Sequence, residues 1–236
     1  MEQPSRARHT VLRAQRIKSA QLQSWVAKLV EESKLPYQVK IAKAQELSTD
    51  MHECIYALLE SNMRAMYEHV GIWDPNAKRA ELQHRTSRFL LVLDTNTDEP
   101  ARRRTRRTNA SDQIWDLLGF VMWRYDVDET NDDDICASPG DDIVEVTYCY
   151  EVQVNAAARG NKIGTMMLAI LEHLTWKAGM RKVALTVFRS NDAARAFYRR
   201  RGYIVDATSP DFRQGVDSHY SILCKPNPTI LESRPS

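Results

Sequence analysis

The sequence predicts an α+β or α/β fold with a single mixed, twisted sheet of about seven strands, flanked by helices and preceded by an extra helix. Two long apolar stretches, 115–127 and 143–154, surround an acidic loop and predict an antiparallel hairpin. Beyond them, helical and strand patterns alternate over 163–178, 183–188, 191–200 and 202–206. This alternation is typical of crossover helices that pack on a sheet.

The remaining elements follow from periodicity and capping. Apolar residues from Leu22 to Val30 share one face of a helix that ends near Pro36. A second helix follows the capping residues at 48–50 and carries a continuous apolar stripe of Met51, Cys54, Ile55, Leu58, Leu59, Met63 and Met66. Asp74 and Pro75 begin a third helix. Strands are predicted at 37–42, 88–93 and 220–224.

Composition is that of an ordinary globular protein, with 43% hydrophobic and 27% charged residues. The net charge of +2 conceals a basic N-terminus, a basic run at 102–107 and an acidic stretch at 126–134. None of the four cysteines forms a CxxC pair, so we expect no metal site. No apolar run is long enough for a membrane span or a secretory signal, and we expect a nuclear and cytoplasmic protein without membrane contact.

One strand–loop–helix segment offers a site for a phosphate group. Its loop, 156–164, combines small residues with Arg159 and Lys162 and opens directly into an amphipathic helix. The first turn of a helix presents unpaired N–H groups that suit a pyrophosphate, although an ordinary small-residue turn would have the same composition. The motifs of metalloproteases and P-loop proteins are absent from the sequence.

Two segments resemble the signatures of GNAT acetyltransferases. Residues 154–165 resemble the acetyl-CoA loop, Arg/Gln-x-x-Gly-x-Gly/Ala, with Arg159 and Gly164 at its two ends. Lys162 occupies the first glycine position, which is a departure, and Gly160 is placed to supply the flexibility two residues earlier. Residues 191–203 resemble the second signature, Asn-x-x-Ala-x-x-Phe-Tyr-x-x-x-Gly-Phe/Tyr. The resemblance implies a sheet that splays after its fourth strand, where acetyl-CoA enters as the co-substrate.

A narrower resemblance is to the NatD-type histone N-alpha-acetyltransferases, from about residue 50 onwards. It is carried by residues 62–68, 124–128 and 185–188, and above all by Tyr-Cys-Tyr-Glu-Val-Gln at 148–153. It implies a basic segment and helix at 1–36, an acetyltransferase domain at 37–225 and a tail at 226–236. The loop inserts at 95–112 and 129–142 depart from this family and indicate a divergent member.

The resemblance implies direct attack of an N-terminal amine on the thioester, with Glu151 as general base, directly or through water. A structural ion pair is the alternative role for Glu151. Tyr148 and Tyr150 would shape the amine site or relay its proton, and Tyr198 would protonate the leaving thiolate unless it only packs. The implied cofactor-binding residues are Val152, Gln153, Val154, Arg159, Gly160, Asn161, Lys162, Ile163, Gly164, Thr165 and Asn191.

NatD-type enzymes act on histone tails that begin Ser-Gly-Arg-Gly. The implied peptide-binding residues are Tyr67, Trp73, Asp126, Asp128, Tyr150, Thr186, Thr208, Ser209 and Tyr220. Asp126 and Asp128 are two apart on a strand and therefore share a face, which suits the guanidinium of the peptide arginine, although an exposed acidic strand end would look the same.

Two rival functions remain open at this point. One is a GNAT enzyme that acetylates a lysine or a small amine, for which the peptide-binding set would be unnecessary. The other is a non-enzymatic relic that holds nucleosomal DNA through its basic segments, supported only by Lys162 in the glycine position. Arg102–Arg107 predict a nuclear import signal or a DNA contact, or else a solvated loop.

Overall fold

The computed structural model describes residues 6–34, 36–94, 117–131, 134–138, 140–212 and 218–232. The helices of this part are α1 (Arg6–Arg16), α2 (Ser19–Ser33), α3 (Thr49–His69), α4 (Pro75–Leu82), α5 (Ile163–Lys177), α6 (Asp192–Arg200) and α7 (Pro228–Glu232). The strands are β1 (Tyr37–Lys43), β2 (Arg88–Asp94), β3 (Leu117–Glu129), β4 (Ile143–Val154), β5 (Lys182–Phe188), β6 (Ile204–Val205) and β7 (Tyr220–Pro226).

The described strands form one mixed sheet in the order β1-β2-β3-β4-β5-β7-β6, which confirms the predicted fold class. β1 with β2, β2 with β3, β5 with β7 and β6 with β7 are antiparallel, whereas β4 and β5 are parallel. The parallel ladder joins 146–149 to 182–185 and stops there, so Tyr150 and Thr186 lie beyond its end. A sheet that splays after its fourth strand, as the sequence predicts, needs a ladder between β4 and β5 that ends before the two strands do.

The chain packs as two compact units, each assembled from separate stretches of sequence. Unit 1 comprises residues 1–17, 124–150 and 172–236, and unit 2 comprises residues 18–123 and 151–171. Strands β3 and β4 and helix α5 each contribute residues to both units.

Unit 2 contains the amphipathic helix that the apolar stripe predicts. Cys54, Ile55, Leu58 and Leu59 of α3 are buried, and the helix begins after Ser48, whose hydroxyl accepts a hydrogen bond from the amide of Met51 at 3.2 Å. The predicted start of α4 is also confirmed, since the Asp74 side chain accepts hydrogen bonds from the two amides after Pro75. Such a cap stabilises a helix by about 1 kcal/mol.

The N-terminal segment contains two helices where periodicity predicted one. Helix α1 belongs to unit 1 and buries Ala7, Val11 and Ala14, which recur every three to four residues. Its position is also fixed by Gln15, whose side-chain amide donates to the Tyr125 carbonyl at 2.9 Å. Two of the three buried residues are alanines, so the apolar face of α1 is weak in the sequence.

Several predicted boundaries shift or lie outside the described residues. β3 continues to Glu129, two residues beyond the predicted end, and β6 is limited to Ile204–Val205. The predicted loop at 95–112, with its basic run at 102–107, lies outside the described residues, as do Trp115, Pro139 and residues 233–236. Within the described residues, no helix has the length and apolarity to cross a membrane.

Candidate active site

Glu151, the residue proposed as the base, is a buried carboxylate in unit 2. Its side chain is 4% exposed. The Lys78 ammonium lies 3.2 Å from Glu151 Oε1, and the Gln153 side-chain amide donates to Oε2 at 2.8 Å. Burial raises the pKa of Glu151, and the charge of Lys78 and the bond from Gln153 oppose that rise. A buried carboxylate with a raised pKa is a better proton acceptor than an exposed one.

Lys78 lies among acidic and aromatic groups of the same unit. Its ammonium is 3.3 Å from Glu81 Oε2 and 4.6 Å from the ring centroid of Tyr67. Burial opposes its charge, but Glu151, Tyr67 and Glu81 together outweigh burial, and the pKa of Lys78 is raised. Trp73 packs on Tyr67 with 5.9 Å between ring centroids, so two of the implied peptide-binding residues are neighbours.

A chain of hydrogen bonds connects this carboxylate to the candidate phosphate loop. Arg159 donates to the side-chain carbonyl of Asn62 at 2.7 Å, and the Asn62 amide donates to Gln153 Oε1 at 3.0 Å. The same Asn62 amide also reaches the carbonyl of Val154 at 3.1 Å. Because Gln153 in turn donates to Glu151, an unbroken series of hydrogen bonds runs from the loop to the Glu151 carboxylate. All of these residues belong to unit 2.

The loop itself contains two residues with left-handed backbones. Gly160 has a φ of 85°, and a Cβ placed there would meet no atom within 4 Å. Lys162 has a φ of 61°, a conformation that costs a residue with a side chain about 1 kcal/mol. Lys162, which occupies the first glycine position of the signature, therefore adopts the left-handed backbone conformation that glycine favours. Asn161 is exposed in the turn, and Ile163, Gly164 and Thr165 form the first turn of α5.

Unit 1 contains a pair of tyrosines on β4 that contacts β3 and β5. Tyr148 and Tyr150 share a face of β4, with ring centroids 5.0 Å apart, and the Tyr148 and Thr186 hydroxyls are hydrogen-bonded. Arg124 stacks over Tyr150 at 4.3 Å from the ring centroid. Burial, together with the neighbouring Tyr150, raises the pKa of Tyr148 to about 12 despite the bond with Thr186. Tyr148 is therefore protonated at neutral pH and can donate a hydrogen bond.

The two candidate carboxylates for the peptide arginine have different surroundings in unit 1. Asp126 is exposed and accepts a hydrogen bond from the amide of Val127 at 2.9 Å. Asp128 lies 2.9 Å from the ammonium of Lys182, and burial raises its pKa against the charge of that lysine. Asp128 thus has a cation of the chain as its partner, and Asp126 is the carboxylate that faces solvent.

Lys182 is fully buried and contacts two further carboxylates in unit 1. Its ammonium is 2.8 Å from Asp206 and 3.2 Å from Asp134, which lies in the loop between β3 and β4. Burial would raise the pKa of Asp206, but Lys182 and Thr208 hold it below its usual value. We call Lys182 with Asp128, Asp134 and Asp206 the Lys182 cluster.

Four of the remaining implied site residues, Thr208, Ser209, Asn191 and Tyr198, contact other groups of unit 1. Thr208 donates to Asp206 at 2.7 Å, and the buried Ser209 accepts from the amide of Ile222 at 2.9 Å. Asn191 caps α6 by accepting from the amide of Ala194 at 3.1 Å. Tyr198 is buried, with its ring beside Phe197 and Tyr203, and Tyr220 is 40% exposed at the start of β7. Val152 and Val154 are half-buried on β4.

Sequence reasoning did not identify Lys78, Asn62 or Lys182 as parts of these clusters. Lys78 follows the helix-starting Asp74-Pro75 by one turn, so its place on a helix was predictable. Its partner is 73 residues away in the sequence, and no local pattern indicates such a pairing. Asn62 lies in one of the segments that resemble the NatD-type enzymes, but nothing in its spacing indicates a bond with Arg159.

Comparison with known proteins identifies the family. The model of the acetyltransferase (GNAT) family matches residues 55–203, more than half of the chain. Among solved structures, the chain is similar to one chain of the NatC complex bound to Gag peptide and CoA. The two chains are 12% identical with a TM-score of 0.52, and the alignment covers 82% of this chain and 99% of the NatC chain.

Two further structures align over most of their length. Naa50 of Arabidopsis thaliana in complex with the bisubstrate analogue CoA-Ac-MVNAL aligns at 13% identity and a TM-score of 0.48, over 80% of this chain and 99% of that one. The PaiA N-acetyltransferase of Thermoplasma acidophilum in complex with coenzyme A aligns at 16% identity and a TM-score of 0.47, again over 80% and 99%. With the match to the family model and the seven-stranded mixed sheet, the chain belongs to the GNAT acetyltransferase family.

Proposed function

We propose that the protein is an acetyl-CoA-dependent N-alpha-acetyltransferase that modifies the N-terminal serine of histone tails beginning Ser-Gly-Arg-Gly. The observation that carries this proposal is the buried carboxylate of Glu151, held by Lys78 and Gln153 within the Tyr-Cys-Tyr-Glu-Val-Gln strand of a GNAT acetyltransferase. The proposed substrate rests on the segments that resemble NatD-type enzymes, because membership of the GNAT family does not by itself specify a substrate.

The residues of the candidate loop fit acetyl-CoA as the co-substrate. The space around Gly160 admits a ligand close to the backbone, and the first-turn amides of α5 suit a pyrophosphate. Arg159 and Lys162 add positive charge, and Val152–Val154 supply strand backbone for the pantetheine. When bound, acetyl-CoA supplies the thioester that the amine attacks.

The residues of the chain then handle the proton and the peptide. An α-amine has a pKa of about 7.7–8.0, so a modest base such as Glu151 suffices to remove its proton, directly or through water. Tyr148, protonated at neutral pH, donates a hydrogen bond in the amine site. Tyr198 returns a proton to the leaving thiolate. Asp126 binds the guanidinium of the peptide arginine, because its carboxylate faces solvent.

Mass spectrometry of product peptides tests this function. Purified protein with acetyl-CoA should add one acetyl group to the α-amine of a Ser-Gly-Arg-Gly peptide. The matched control is the same peptide with a blocked N-terminus and a free lysine, which should stay unmodified. Equal acetylation of the control on lysine would reassign the protein to the lysine acetyltransferases, and acetyl-CoA binding without any transfer would identify a non-enzymatic member.

We also propose that the basic segments contact nucleosomal DNA and that the protein works in the nucleus and the cytoplasm. Helix α1 exposes Arg6, Arg8, Arg13 and Arg16 and contains no acidic residue. Deleting residues 102–107 and replacing the α1 arginines by glutamine should each weaken nucleosome binding and reduce its dependence on salt. Peptide kinetics should not change, and a loss of peptide activity on deletion would instead give the loop a role in peptide acetylation.

A further inference from the structure

A lysine that no motif singles out lies against the proposed base. The ammonium of Lys78 is 3.2 Å from Glu151 Oε1, with side chains that are 13% and 4% exposed. A carboxylate that loses this much water takes up a proton unless a positive charge compensates the loss. The protonated form cannot accept a proton from an amine. Whether Glu151 can act as a base therefore depends on the groups that surround its carboxylate.

We propose that Lys78 is a positioning residue for acetyl transfer, which keeps Glu151 ionised and fixes the direction of its carboxylate. The inference rests on the proposed function, because Lys78 acts through the base of that reaction. It adds a residue from α4 to a site that sequence motifs place on β4 and the loop after it.

Among the described residues of unit 2, groups from helices α3 and α4 and strand β4 act on Glu151, and Lys78 is a cation beside its carboxylate. Helix α4 contributes Lys78 and Glu81, helix α3 contributes the phenol of Tyr67, and β4 contributes the neutral amide of Gln153. Glu81 opposes ionisation of Glu151, since both are carboxylates. Removing the charge of Lys78 would therefore leave the buried carboxylate of Glu151 beside the carboxylate of Glu81.

The position of Lys78 is itself well determined. Asp74 caps α4 and Pro75 occupies its first turn, so Lys78 emerges one turn into a helix with a fixed start. Its ammonium is held by Glu81 at 3.3 Å as well as by Glu151, and it lies over the ring of Tyr67. The raised pKa of Lys78 keeps the lysine charged at neutral pH, and it therefore does not serve as the base.

The test compares Lys78→Met and Lys78→Gln, which remove the charge, with Lys78→Arg, which keeps it. Arg79→Met is the matched control, because it removes a cation from the next position of α4 that pairs with Glu53 instead. The rate kcat is measured against pH with acetyl-CoA and the Ser-Gly-Arg-Gly peptide. The peptide amine is the same in every reaction, so differences between the profiles belong to the enzyme.

Loss of the charge should move the acidic limb of the profile to higher pH by at least about one unit, a roughly tenfold loss on that limb. On the high-pH plateau, where Glu151 is ionised in every variant, the loss of kcat should be smaller and should reflect only the lost orientation of the carboxylate. Lys78→Arg and Arg79→Met should keep the wild-type limb. In a Glu151→Gln background, Lys78→Met should cause no further loss of kcat, because Lys78 acts through Glu151. An unshifted limb, or a full additional loss in that background, would overturn the proposal.

A readout without turnover separates this proposal from the proposed function. Carboxyl ¹³C NMR of labelled glutamate should show a higher pKa for Glu151 in Lys78→Met and Lys78→Gln than in the wild type. If the wild type acetylates no peptide while this pKa rises, the substrate assignment fails and the electrostatic role of Lys78 stands. If the pKa does not move, Lys78 does not control the charge of Glu151, whatever the enzyme acetylates.

Discussion

Replacing Lys182 by methionine tests how strongly the Lys182 cluster stabilises unit 1. The substitution keeps the aliphatic stem and removes an ammonium that lies 2.8–3.2 Å from Asp206, Asp128 and Asp134. Asp206 and Asp134 have almost fully buried side chains, so they would be left without their counter-ion. Breaking a buried ion pair in this way costs about 3–5 kcal/mol, a large part of the stability of a domain.

The pH dependence of this loss has a definite sign. The pKa of Lys182 is raised in the folded protein, so its contribution is complete below its unfolded pKa of about 10.4 and disappears only as pH rises through the folded value. Asp206 has a lowered folded pKa, so its contribution is present above the unfolded value of about 3.9 and is lost as pH falls through the folded value. In Lys182→Met the unpaired carboxylates instead bind protons more readily, and the deficit should shrink between pH 7 and pH 5.

Urea denaturation at pH 7 and pH 5 measures both effects. Lys28→Met is the control, because Lys28 lies 3.6 Å from Glu32 in an ion pair whose side chains are 85% and 59% exposed, and such pairs contribute about 0–1 kcal/mol. Lys182→Met should lose about 3–5 kcal/mol at pH 7 and distinctly less at pH 5. A loss no larger than that of the control, or one that grows at pH 5, would show that the cluster does not stabilise the fold by charge compensation.

Three kinetic predictions concern the candidate site. Glu151→Gln should lower kcat by roughly 10²–10⁴-fold at neutral pH, with a smaller loss as pH rises and with unchanged acetyl-CoA affinity, and parallel kcat profiles would remove Glu151 from the role of base. Asp126→Ala should weaken binding of the Ser-Gly-Arg-Gly peptide by about 1.5–3 kcal/mol. A Ser-Gly-Ala-Gly peptide should bind the variant and the wild type equally well. An equal loss of binding with both peptides would contradict the pairing of Asp126 with the peptide arginine. Gly160→Ala should cost about 1 kcal/mol of stability and raise the KM for acetyl-CoA, whereas Gly71→Ala, at a comparable φ of 72°, should cost the same without changing that KM.

The parts of the fold that periodicity describes could be predicted from the sequence. The apolar stripe of α3, the cap of α4 and the ends of β4 all appear where local pattern places them. Helix α1 escaped prediction because its buried face consists of two alanines and a valine among arginines. Hydrophobic spacing is a weak signal when the apolar side chains are this small.

The candidate site could be predicted only as far as its motifs extend. Glu151 and the loop around Gly160 lie in contiguous segments, so sequence motifs alone single them out as candidates. Lys78, by contrast, meets Glu151 across 73 residues, and Asn62 meets Arg159 across 97. Pairings between helix and strand depend on how the elements pack, and one sequence carries no local trace of them. The same holds for Lys182, which begins β5 but lies one residue before the strand predicted at 183–188.

The series of hydrogen bonds from Arg159 to Glu151 has a consequence for how this enzyme can diverge. Each amide in it is used at both ends, since Asn62 and Gln153 accept from one neighbour and donate to the next. Replacing either amide by a carboxylate or an aliphatic residue leaves an adjacent buried group with its polarity unmatched, at a cost of about 1–3 kcal/mol. Residues 62, 151 and 153 should consequently be inherited as one set, exchanged together or not at all among descendants of this gene.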